Sequence, residues 1–299
     1  MQSHALRDCG LASFTTWNVG GTAEWLLLPE REEDLVWIAR KFCGERVPFE
    51  ILAGGSNVLI ADGLIRTPIV HTVSVKGMNV SVEGKEVYLE CDAGVNLKDL
   101  FNLSMREGWS GLEFAVGIPG TLGGALMGNA GTSSGSISSI VASVKTVELD
   151  GTVRLRRAED LVWGYRESAV SSGSARIISQ AVLRLCVSDR ATVLGKARRA
   201  AFGRAKQPRC AKTAGCVFKN TESQSAGELL DMAGCKGLSV GGAVVSPIHA
   251  NFIENRGGCK ASDIVKLILT CRRRVEEMFG VRLQLEIKTI GFPEDVFNG

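Results

Sequence analysis

The sequence predicts an α+β fold in more than one domain. Short apolar or alternating stretches, typical of β-strands, are mixed with stretches whose apolar residues recur at helical spacing. The chain has 299 residues, of which 45% are hydrophobic and 22% charged, which is typical of a globular protein long enough for two or three domains. A shift to a helical and basic composition after Val187 indicates where the chain enters its last domain.

The N-terminal third is predicted to alternate between strands and helices. Residues 30–43 begin with acidic side chains and place Leu35, Ile38 and Phe42 on one face, as a helix does. Residues 96–107 begin at Asn96, a typical N-cap, and end before Gly108, a typical helix stop. The other predictions here are a strand over residues 11–28, strands over 49–53 and 58–60 around a turn at 54–57, and a β region over 69–90 that reverses at 83–85.

The segment from Gly111 to Gly131 is the one around which the first half is organised. It holds seven glycines, one proline, one carboxylate (Glu113) and no basic residue. Glycine permits positive φ and close approach of a ligand, and successive backbone N–H groups form a concave site for an anion. The apolar run 121–127 can begin a helix whose N-terminus adds positive partial charge. We interpret the segment as a loop that binds a diphosphate through backbone amides. The alternative is a glycine-rich turn between closely packed strands.

The second half is predicted to continue with strands and then with longer helices. Asp150 and Gly151 form a strong turn signal inside a hairpin over residues 141–156. Ser225 and Glu228 form a capping box for a short helix that ends at Gly234. The remaining predictions are a break in the strands at 163–168, a strand over 176–186, a helix over 188–204, a turn into a short strand over 213–220, a helix over 262–279 and an alternating strand over 281–287.

Composition argues against several classes of function. The net charge of +3 gives no case for a nucleic-acid or membrane-surface partner, and the densest basic run, residues 272–274, is interpreted as a solvated helix face. No stretch approaches the roughly 20 apolar residues of a transmembrane helix, and residues 1–10 lack the apolar core of a signal peptide, so a cytoplasmic location is expected. The nine cysteines form no C-x-x-C pair and there are only three histidines, so we expect no metal site and mostly buried, reduced thiols.

Seven motifs resemble those of one enzyme family and occur in that family's order. They are A-G-G-S-N (53–57), G-I-P-G-T-L-G-G-A-L-M-G-N-A-G (117–131), G-Y-R-E-S (164–168), K-Q-P (206–208), A-G-C-V-F-K-N (214–220), H-A-N-F-I-E-N (249–255) and L-E-I-K-T-I-G (285–291). Through these residues the sequence resembles the UDP-N-acetylenolpyruvoylglucosamine reductases, flavin enzymes of bacterial cell-wall synthesis. The resemblance runs from about residue 13 to residue 291, nearly the whole chain.

The resemblance implies an FAD-binding fold of the vanillyl-alcohol-oxidase (PCMH) type in two subdomains, residues 1–68 and 69–187. A C-terminal α+β substrate-binding domain, residues 188–299, would follow, in the shorter subtype that lacks an extra tyrosine-bearing loop. The implied oxidoreductase converts UDP-N-acetyl-3-O-(1-carboxyvinyl)-glucosamine to UDP-N-acetylmuramate: NADPH reduces bound FAD, which then reduces the enolpyruvyl double bond. The implied partner is this nucleotide sugar, without nucleic acid or membrane. The resemblance does not fix the oligomeric state, for which we favour a monomer.

Three residues receive a role in the reaction through the resemblance. The Arg166 guanidinium would hold a carboxylate through two parallel hydrogen bonds and stabilise the enolate. The Cys216 thiol would donate the proton, and Glu286 would partner the enolic oxygen or place that proton. Taken alone, Arg166 suits a surface ion pair equally well, Cys216 an inert buried thiol and Glu286 a solvent-facing carboxylate.

Further site residues follow from the same motifs. The expected substrate-binding residues are Tyr165, Lys206, Asn220 and His249. Taken alone, each of the last three favours a surface or capping role. The residues expected to hold FAD, mainly through backbone, are Gly54, Gly55, Ser56, Asn57, Gly117, Ile118, Pro119, Gly120, Thr121, Gly123, Gly124, Asn129, Ala130 and Gly131.

The chain departs from the family pattern at three places. Cys216 stands where many members carry serine, Thr221 replaces a common proline, and residues 132–135 read T-S-S-G instead of an A-Y-G-like turn. None of these changes removes a charge that the reaction needs. Two alternatives stay open: another FAD oxidoreductase of the same fold acting on alcohols or hydroxy acids, and a nucleotide-sugar-binding protein without flavin.

Overall fold

The computed structural model describes residues 4–168, 177–205, 207–208 and 211–297. Its helices are Glu32–Glu45, Leu97–Glu107, Leu122–Met127, Arg190–Gly203, Ala226–Met232 and Ala261–Phe279. Its strands are His4–Gly10, Thr22–Leu28, Glu50–Leu52, Val58–Ile60, Leu64–Ile65, Ile69–His71, Met78–Glu83, Glu86–Asp92, Trp109–Ser110, Gly131–Thr132, Gly135–Ser136, Val141–Val147, Val153–Arg157, Trp163–Gly164, Glu167–Ser168, Ile177–Val187, Ser239–Val240, Ala243–Val245, Ile253–Asn255 and Lys288–Ile290. Among these described helices, none is both long and apolar enough to cross a bilayer.

The described residues form two compact units. The first contains those within Met1–Leu6, Leu26–Gly54 and Ile69–Ala205, and the second contains those within Arg7–Trp25, Gly55–Pro68 and Lys206–Gly299. The chain therefore passes between the units several times. The predicted division at residues 68 and 187 stays a prediction.

The first unit is built on an antiparallel sheet. The long strand Ile177–Val187 lies at its centre and pairs with Val141–Val147 on one side and Glu86–Asp92 on the other. Outer strands Val153–Arg157 and Met78–Glu83 extend the sheet through hairpins, as the turns at Asp150 and Gly84 predicted. The core of the unit contains the buried side chains of this sheet and the helices Leu97–Glu107 and Leu122–Met127. Burying one leucine or isoleucine side chain contributes about 1.5–3 kcal/mol.

Local sequence explains the helices of the first unit. The Asn96 side chain accepts a hydrogen bond from the Lys98 amide at 2.9 Å, and Gly108 ends that helix with φ of +75°. The helix Glu32–Glu45 buries Leu35 and Ile38 against Val70 and neighbouring strand residues. The face of this helix predicted from spacing is confirmed.

The second unit is organised around the helix Ala261–Phe279. Its apolar face packs against Leu59, Val217 and the small antiparallel sheet that contains Ala243–Val245 and Ile253–Asn255. The carboxylate of Asp62 accepts hydrogen bonds from the first two amides of the helix, at 2.9 and 3.0 Å. Burial raises the pKa of Asp62, but the hydrogen bonds from Ser262 and Ala261 outweigh it and lower the pKa. The second unit also contains the parallel pair Val58–Ile60 and Lys288–Ile290.

The prediction of a single strand over residues 11–28 is wrong. Strands end at Gly10 and begin again at Thr22, and the residues between them form a compact loop. The Thr15 hydroxyl donates to the Val19 carbonyl at 2.8 Å, and the Trp17 indole donates to the Ile253 carbonyl at 2.7 Å. These side-chain bonds satisfy the polar groups that a loop leaves outside a strand ladder.

The predicted strand over residues 281–287 is also wrong, although its alternation is real. Leu283 and Ile287 are buried and Arg282 and Gln284 are exposed, but ladder pairing begins only at Lys288. Residues 213–220 likewise form isolated bridges rather than the predicted short strand. The segments 213–220 and 281–287 contact each other through isolated backbone hydrogen bonds. Their burial pattern therefore resembles that of a strand, although no regular ladder forms.

Two expectations about side chains need correction. Arg272 is buried and donates to the carbonyls of Leu283 and Phe297, so residues 272–274 are not uniformly a solvated face. The eight described cysteines are free thiols, but only Cys91, Cys235 and Cys271 are buried. The remaining five are exposed or half-buried, so most of the described thiols are not core residues.

Candidate functional site

The first unit brings the two predicted cofactor segments together. A Cβ atom on Gly54 would lie 2.9 Å from the Cα of Gly120 and 3.2 Å from the amide nitrogen of Thr121. A Cβ on Gly124 would lie 3.3 Å from the Cβ of Ala53. Backbone packing therefore favours glycine at position 54, and the Ala53 side chain limits the space for a larger residue at position 124.

The backbone between Gly117 and Thr121 has the features of an anion cradle. Gly117 and Gly120 have φ of +69° and +104°, values that side chains of L-residues rarely adopt. Among the described residues, a Cβ on Gly117 would contact Arg204 alone within 4 Å, at 3.8 Å from its Nε. Thr121 is the N-cap of the helix Leu122–Met127, and its Oγ1 is buried without a hydrogen-bond partner among the described residues.

These observations fit a bound FAD. A buried threonine hydroxyl without a protein partner is unfavourable by about 1–3 kcal/mol, and a diphosphate oxygen would accept its hydrogen bond. The open side of Gly117 would allow a ligand to approach the backbone closely. The segment itself has no basic residue, but Arg204 lies next to it. Sequence reasoning missed Arg204. Its only signal was its position two residues before Lys206.

The predicted loop Gly54 to Asn57 is divided between the two units, with Gly54 in the first and Gly55 to Asn57 in the second. In the second unit, a Cβ on Gly55, whose φ is +62°, would lie 1.9 Å from the carbonyl oxygen of Phe14. The Asn57 amide donates to the backbone carbonyl of Glu286 at 3.2 Å, and the Lys288 amide donates to the Asn57 carbonyl at 3.0 Å. The loop thus contacts the backbone of a predicted catalytic residue.

Arg166 lies in a two-residue turn that is bonded to the glycine segment. The turn joins Trp163–Gly164 to Glu167–Ser168, and Arg166 has φ of +59°. Its Nη1 donates to the carbonyl of Gly131 at 3.0 Å, and its guanidinium lies 5.2 Å from the centre of the Tyr165 ring. In return, the side chain of Asn129 donates to the Gly164 carbonyl at 2.8 Å. Four predicted site residues are therefore joined in one unit.

Cys216 and Glu286 lie on neighbouring backbone segments of the second unit. The Glu286 amide donates to the carbonyl of Val217 at 2.8 Å, and Cys216 forms an antiparallel bridge with Phe252. Both predicted catalytic side chains are half-buried. The second unit therefore contains a thiol and a carboxylate on adjoining segments, while Arg166 belongs to the first unit.

His249 and Asn220 lie near the same segments. The His249 ring contacts Phe252 edge-on with centroids 4.9 Å apart, and its Nδ1 accepts a hydrogen bond from the Asn251 amide at 3.3 Å. Burial, with a smaller effect of Lys236, lowers the pKa of His249. The Asn220 side chain accepts from the Ala226 amide at 3.0 Å. Lys206 lies outside the described residues.

Two family models match the chain. Residues 23–155 match the model described as "FAD binding domain", and residues 207–290 match "UDP-N-acetylenolpyruvoylglucosamine reductase, C-terminal domain". The glycine segments with their buried threonine lie within or beside the first match. The class of the protein is therefore that of the FAD-containing oxidoreductases, with an α+β fold as predicted.

Full-length relatives identify the family within this class. The reductase of Desulfosudis oleivorans is 38% identical over 95% of this chain and 94% of its own, and that of Geobacillus kaustophilus is 35% identical over 97% and 94%. The crystal structure of the Thermus caldophilus enzyme matches with a TM-score of 0.81 at 33% identity, over 97% of this chain and 99% of that chain. The chain belongs to the UDP-N-acetylenolpyruvoylglucosamine reductase family, which confirms the resemblance found in the sequence.

Proposed function

We propose that this protein reduces the enolpyruvyl double bond of UDP-N-acetylenolpyruvoylglucosamine to give UDP-N-acetylmuramate for peptidoglycan synthesis, with FAD bound and NADPH as the reductant. Membership of the reductase family supports the substrate. The observation that carries the proposal is the hydrogen bond from Arg166 to Gly131, because it ties a guanidinium to the end of the glycine segment. Such a cation suits the carboxylate that distinguishes this substrate from simple alcohols.

The FAD would be held by the amides of residues 54–57 and 117–131, with the Thr121 hydroxyl as a donor. When bound, FAD would supply the hydride chemistry of the reaction, with NADPH as the proposed source of electrons. The protein supplies position, charge and the proton. Arg204, beside Gly117, adds a cation near a segment that has none of its own.

Arg166 would bind the substrate carboxylate and stabilise the negative charge that develops as its double bond is reduced. A guanidinium carries five N–H donors in a planar fork, and the bond of Nη1 to Gly131 fixes the orientation of that fork. A preorganised donor of this kind contributes about 3 kcal/mol at a developing charge. The turn geometry and the Tyr165 contact support a fixed rather than a mobile arginine.

Cys216 would donate the proton to the carbon that carries the carboxylate. A thiol has an ordinary pKa of about 8.5, so it is mostly protonated at neutral pH and still acidic enough to transfer its proton. Glu286, on the adjoining segment, would partner the enolic oxygen. Tyr165, Lys206, Asn220 and His249 would contact the diphosphate or the sugar. Because its nucleotide substrates are cytoplasmic metabolites, we propose that the enzyme acts in the cytoplasm, and we favour a monomer.

The test separates the two half-reactions by stopped-flow absorbance of the flavin. Cys216→Ala should leave flavin reduction by NADPH within about twofold of wild type and slow flavin oxidation by the substrate at least a hundredfold, as expected for loss of a proton donor. Cys216→Ser should keep measurable activity, and Cys43→Ala, at an exposed thiol, should change neither step. An equal loss in both half-reactions would disprove the role of Cys216. Oxygen uptake with a simple alcohol and no turnover of the nucleotide sugar would disprove the function.

A further inference from the structure

Two buried polar atoms of the second unit lie on neighbouring segments near Cys216. Glu254 is only 3% exposed, and its Oε2 pairs with a guanidinium nitrogen of Arg256 at 2.6 Å. Its other oxygen, Oε1, is buried without a hydrogen-bond partner in the described part of the chain, and so is the hydroxyl of Thr213. A buried carboxylate with one oxygen unpartnered is unusual, because burial of charge is costly unless it is offset.

The pairing register places these groups on one face with Cys216. Lys212 bridges Asn255 and Cys216 bridges Phe252, so one segment advances four residues while the other advances three. Gly215, whose φ is +81°, lies in the longer segment and allows the backbone to take up the extra residue. Paired residues share a face, and so do residues two apart on one strand. Cys216 therefore shares the face of Phe252 and Glu254.

Arg256 offsets only part of the negative charge of Glu254. The Arg256 side chain is 57% exposed, so solvent screens its positive charge, whereas the carboxylate is buried. A negative charge on the face of a thiol disfavours the thiolate, because two like charges would then lie close together. The other charged or titratable groups on the adjoining segments stay unchanged when Glu254 is varied; they are Lys212, Lys219, His249 and Glu286. A proton donor must carry its proton before the substrate arrives, so this arrangement favours the working form of Cys216.

We propose that Glu254 is a positioning residue that keeps the proton on Cys216 through the negative charge of its buried carboxylate. The inference rests on the proposed role of Cys216 as proton donor. In the reaction the S–H bond of Cys216 breaks as the C–H bond of the product forms, and the thiolate then takes a proton from solvent. Glu254 itself does not exchange a proton in this step.

The expected effect follows from the spacing of strands. Same-face residues diagonal to each other across two strands lie about 7–8 Å apart, and at an effective dielectric constant of about 20 one charge shifts a neighbour's pKa by about one and a half units. Partial screening by Arg256 and solvent reduces this to roughly half a unit to one unit. Glu254→Gln should therefore speed alkylation of Cys216 at pH 7 by roughly three- to tenfold, since alkylation requires the thiolate.

The experiment measures iodoacetamide alkylation of Cys216 in the full-length enzyme across pH 6 to 10. Tryptic cleavage releases residues 213–219, which contain only this cysteine, so mass spectrometry isolates its rate. Glu254→Gln should move the inflection of the alkylation rate against pH to lower pH. Arg256→Gln, which removes the opposing charge at an exposed position, should move it to higher pH and serves as the test if the first variant does not fold.

Two controls separate charge from packing. Thr213→Val removes the other buried polar atom without changing charge, and Glu277→Gln neutralises a carboxylate that is 70% exposed. Both should leave the inflection within about 0.2 pH unit. An unchanged inflection in Glu254→Gln, or an equal shift in Thr213→Val, would overturn the inference and leave the proposed function intact.

The alkaline limb of flavin oxidation by the substrate distinguishes the two proposals. In the pH–rate profile of this step, the alkaline limb of Glu254→Gln should shift to lower pH by the same amount as the inflection of the alkylation profile. If alkylation shifts while this limb stays in place, Glu254 acts on Cys216 but Cys216 does not donate the proton, and the proposed mechanism fails.

Discussion

The Gly54→Ala variant tests whether the two glycine segments meet backbone to backbone. The added Cβ would lie 2.9 Å from the Cα of Gly120, whereas nine in ten real Cβ contacts exceed 3.4 Å. The segments would therefore have to separate by about half an ångström, and backbone cannot rotate away as a flexible side chain does. Because the φ of Gly54 is outside the left-handed region, this contact is the main strain that the substitution introduces.

Overpacking of this kind costs about 1–3 kcal/mol. If the strain falls on the conformation that binds FAD, affinity should decrease by about 5- to 150-fold. The assay is reconstitution of the apoprotein with FAD, followed by quenching of flavin fluorescence, together with thermal unfolding of the apoprotein. A lower melting temperature with unchanged FAD affinity would mean that the contact is structural and lies outside the cofactor site.

Gly44→Ala is the matched control, because a Cβ at Gly44 meets no atom of the described residues within 4 Å and Gly44 lies in a helix of the same unit. It should leave FAD affinity unchanged and raise stability slightly, by about 0.5–1 kcal/mol. If Gly54→Ala behaved like Gly44→Ala in both measurements, the close approach of residues 53–54 to residues 120–121 would be refuted.

Three further predictions concern single side chains. Thr121→Val removes a buried hydroxyl that has no hydrogen-bond partner among the described residues, so the apoprotein should keep or gain stability. FAD affinity, measured by the same titration, should decrease roughly three- to tenfold. A parallel loss of stability and affinity would contradict the interpretation that this hydroxyl binds FAD. Arg166→Lys should slow flavin oxidation by substrate about a hundredfold in stopped flow and leave reduction by NADPH unchanged, and equal rates would refute the guanidinium role. Burial lowers the pKa of His71 from its ordinary 6.5, so the folded state binds fewer protons and loses stability as pH falls below about 6.5. The difference in free energy of unfolding between wild type and His71→Gln, measured in urea, should therefore shrink between pH 7 and pH 5. A constant difference would exclude a contribution of His71 to the pH dependence.

Signals confined to one turn of chain predicted the structure well. Asn96 and Gly108 set the ends of one helix, and Ser225, whose side chain accepts from the Glu228 amide, sets the start of another. The prediction of a strand over residues 11–28 was wrong. The loop in this segment is held by a hydrogen bond from the Trp17 indole to the carbonyl of Ile253, more than two hundred positions away. Sequence patterns report local preference and burial, and such distant partners decide whether an extended segment joins a ladder.

The candidate site shows the same division between local and distant information. Motifs indicated the glycine segments, Arg166 and Cys216, since each lies in a short run of characteristic residues. The contact between Gly54 and Gly120, and the position of Arg204 beside Gly117, depend on packing between segments that no spacing rule connects. Arg204 follows the helix Arg190–Gly203, which packs against the helix Leu97–Glu107, so its position beside the loop is visible only in three dimensions.

Backbone strain gives an independent reason to place function at the Arg166 turn. In the described chain, Asn129 and Arg166 are two of the few non-glycine residues with positive φ, at +40° and +59°. Each conformation costs about 1–3 kcal/mol and persists only where its surroundings enforce it. Here the enforcement is reciprocal: the Asn129 side chain bonds the carbonyl beside the arginine turn, and the Arg166 side chain bonds the carbonyl of Gly131, two residues beyond Asn129.

This reciprocity fixes the guanidinium before any ligand binds. A mobile arginine would lose side-chain entropy on binding a carboxylate, whereas one already held by Gly131 and packed on Tyr165 loses little. A surface turn can form without two left-handed residues whose side chains bond to backbone near each other. A site that stabilises developing charge, in contrast, gains from donors that do not have to reorganise during the reaction. The positive φ values of Asn129 and Arg166 therefore support the proposed role of the Arg166 guanidinium in the reduction of the substrate.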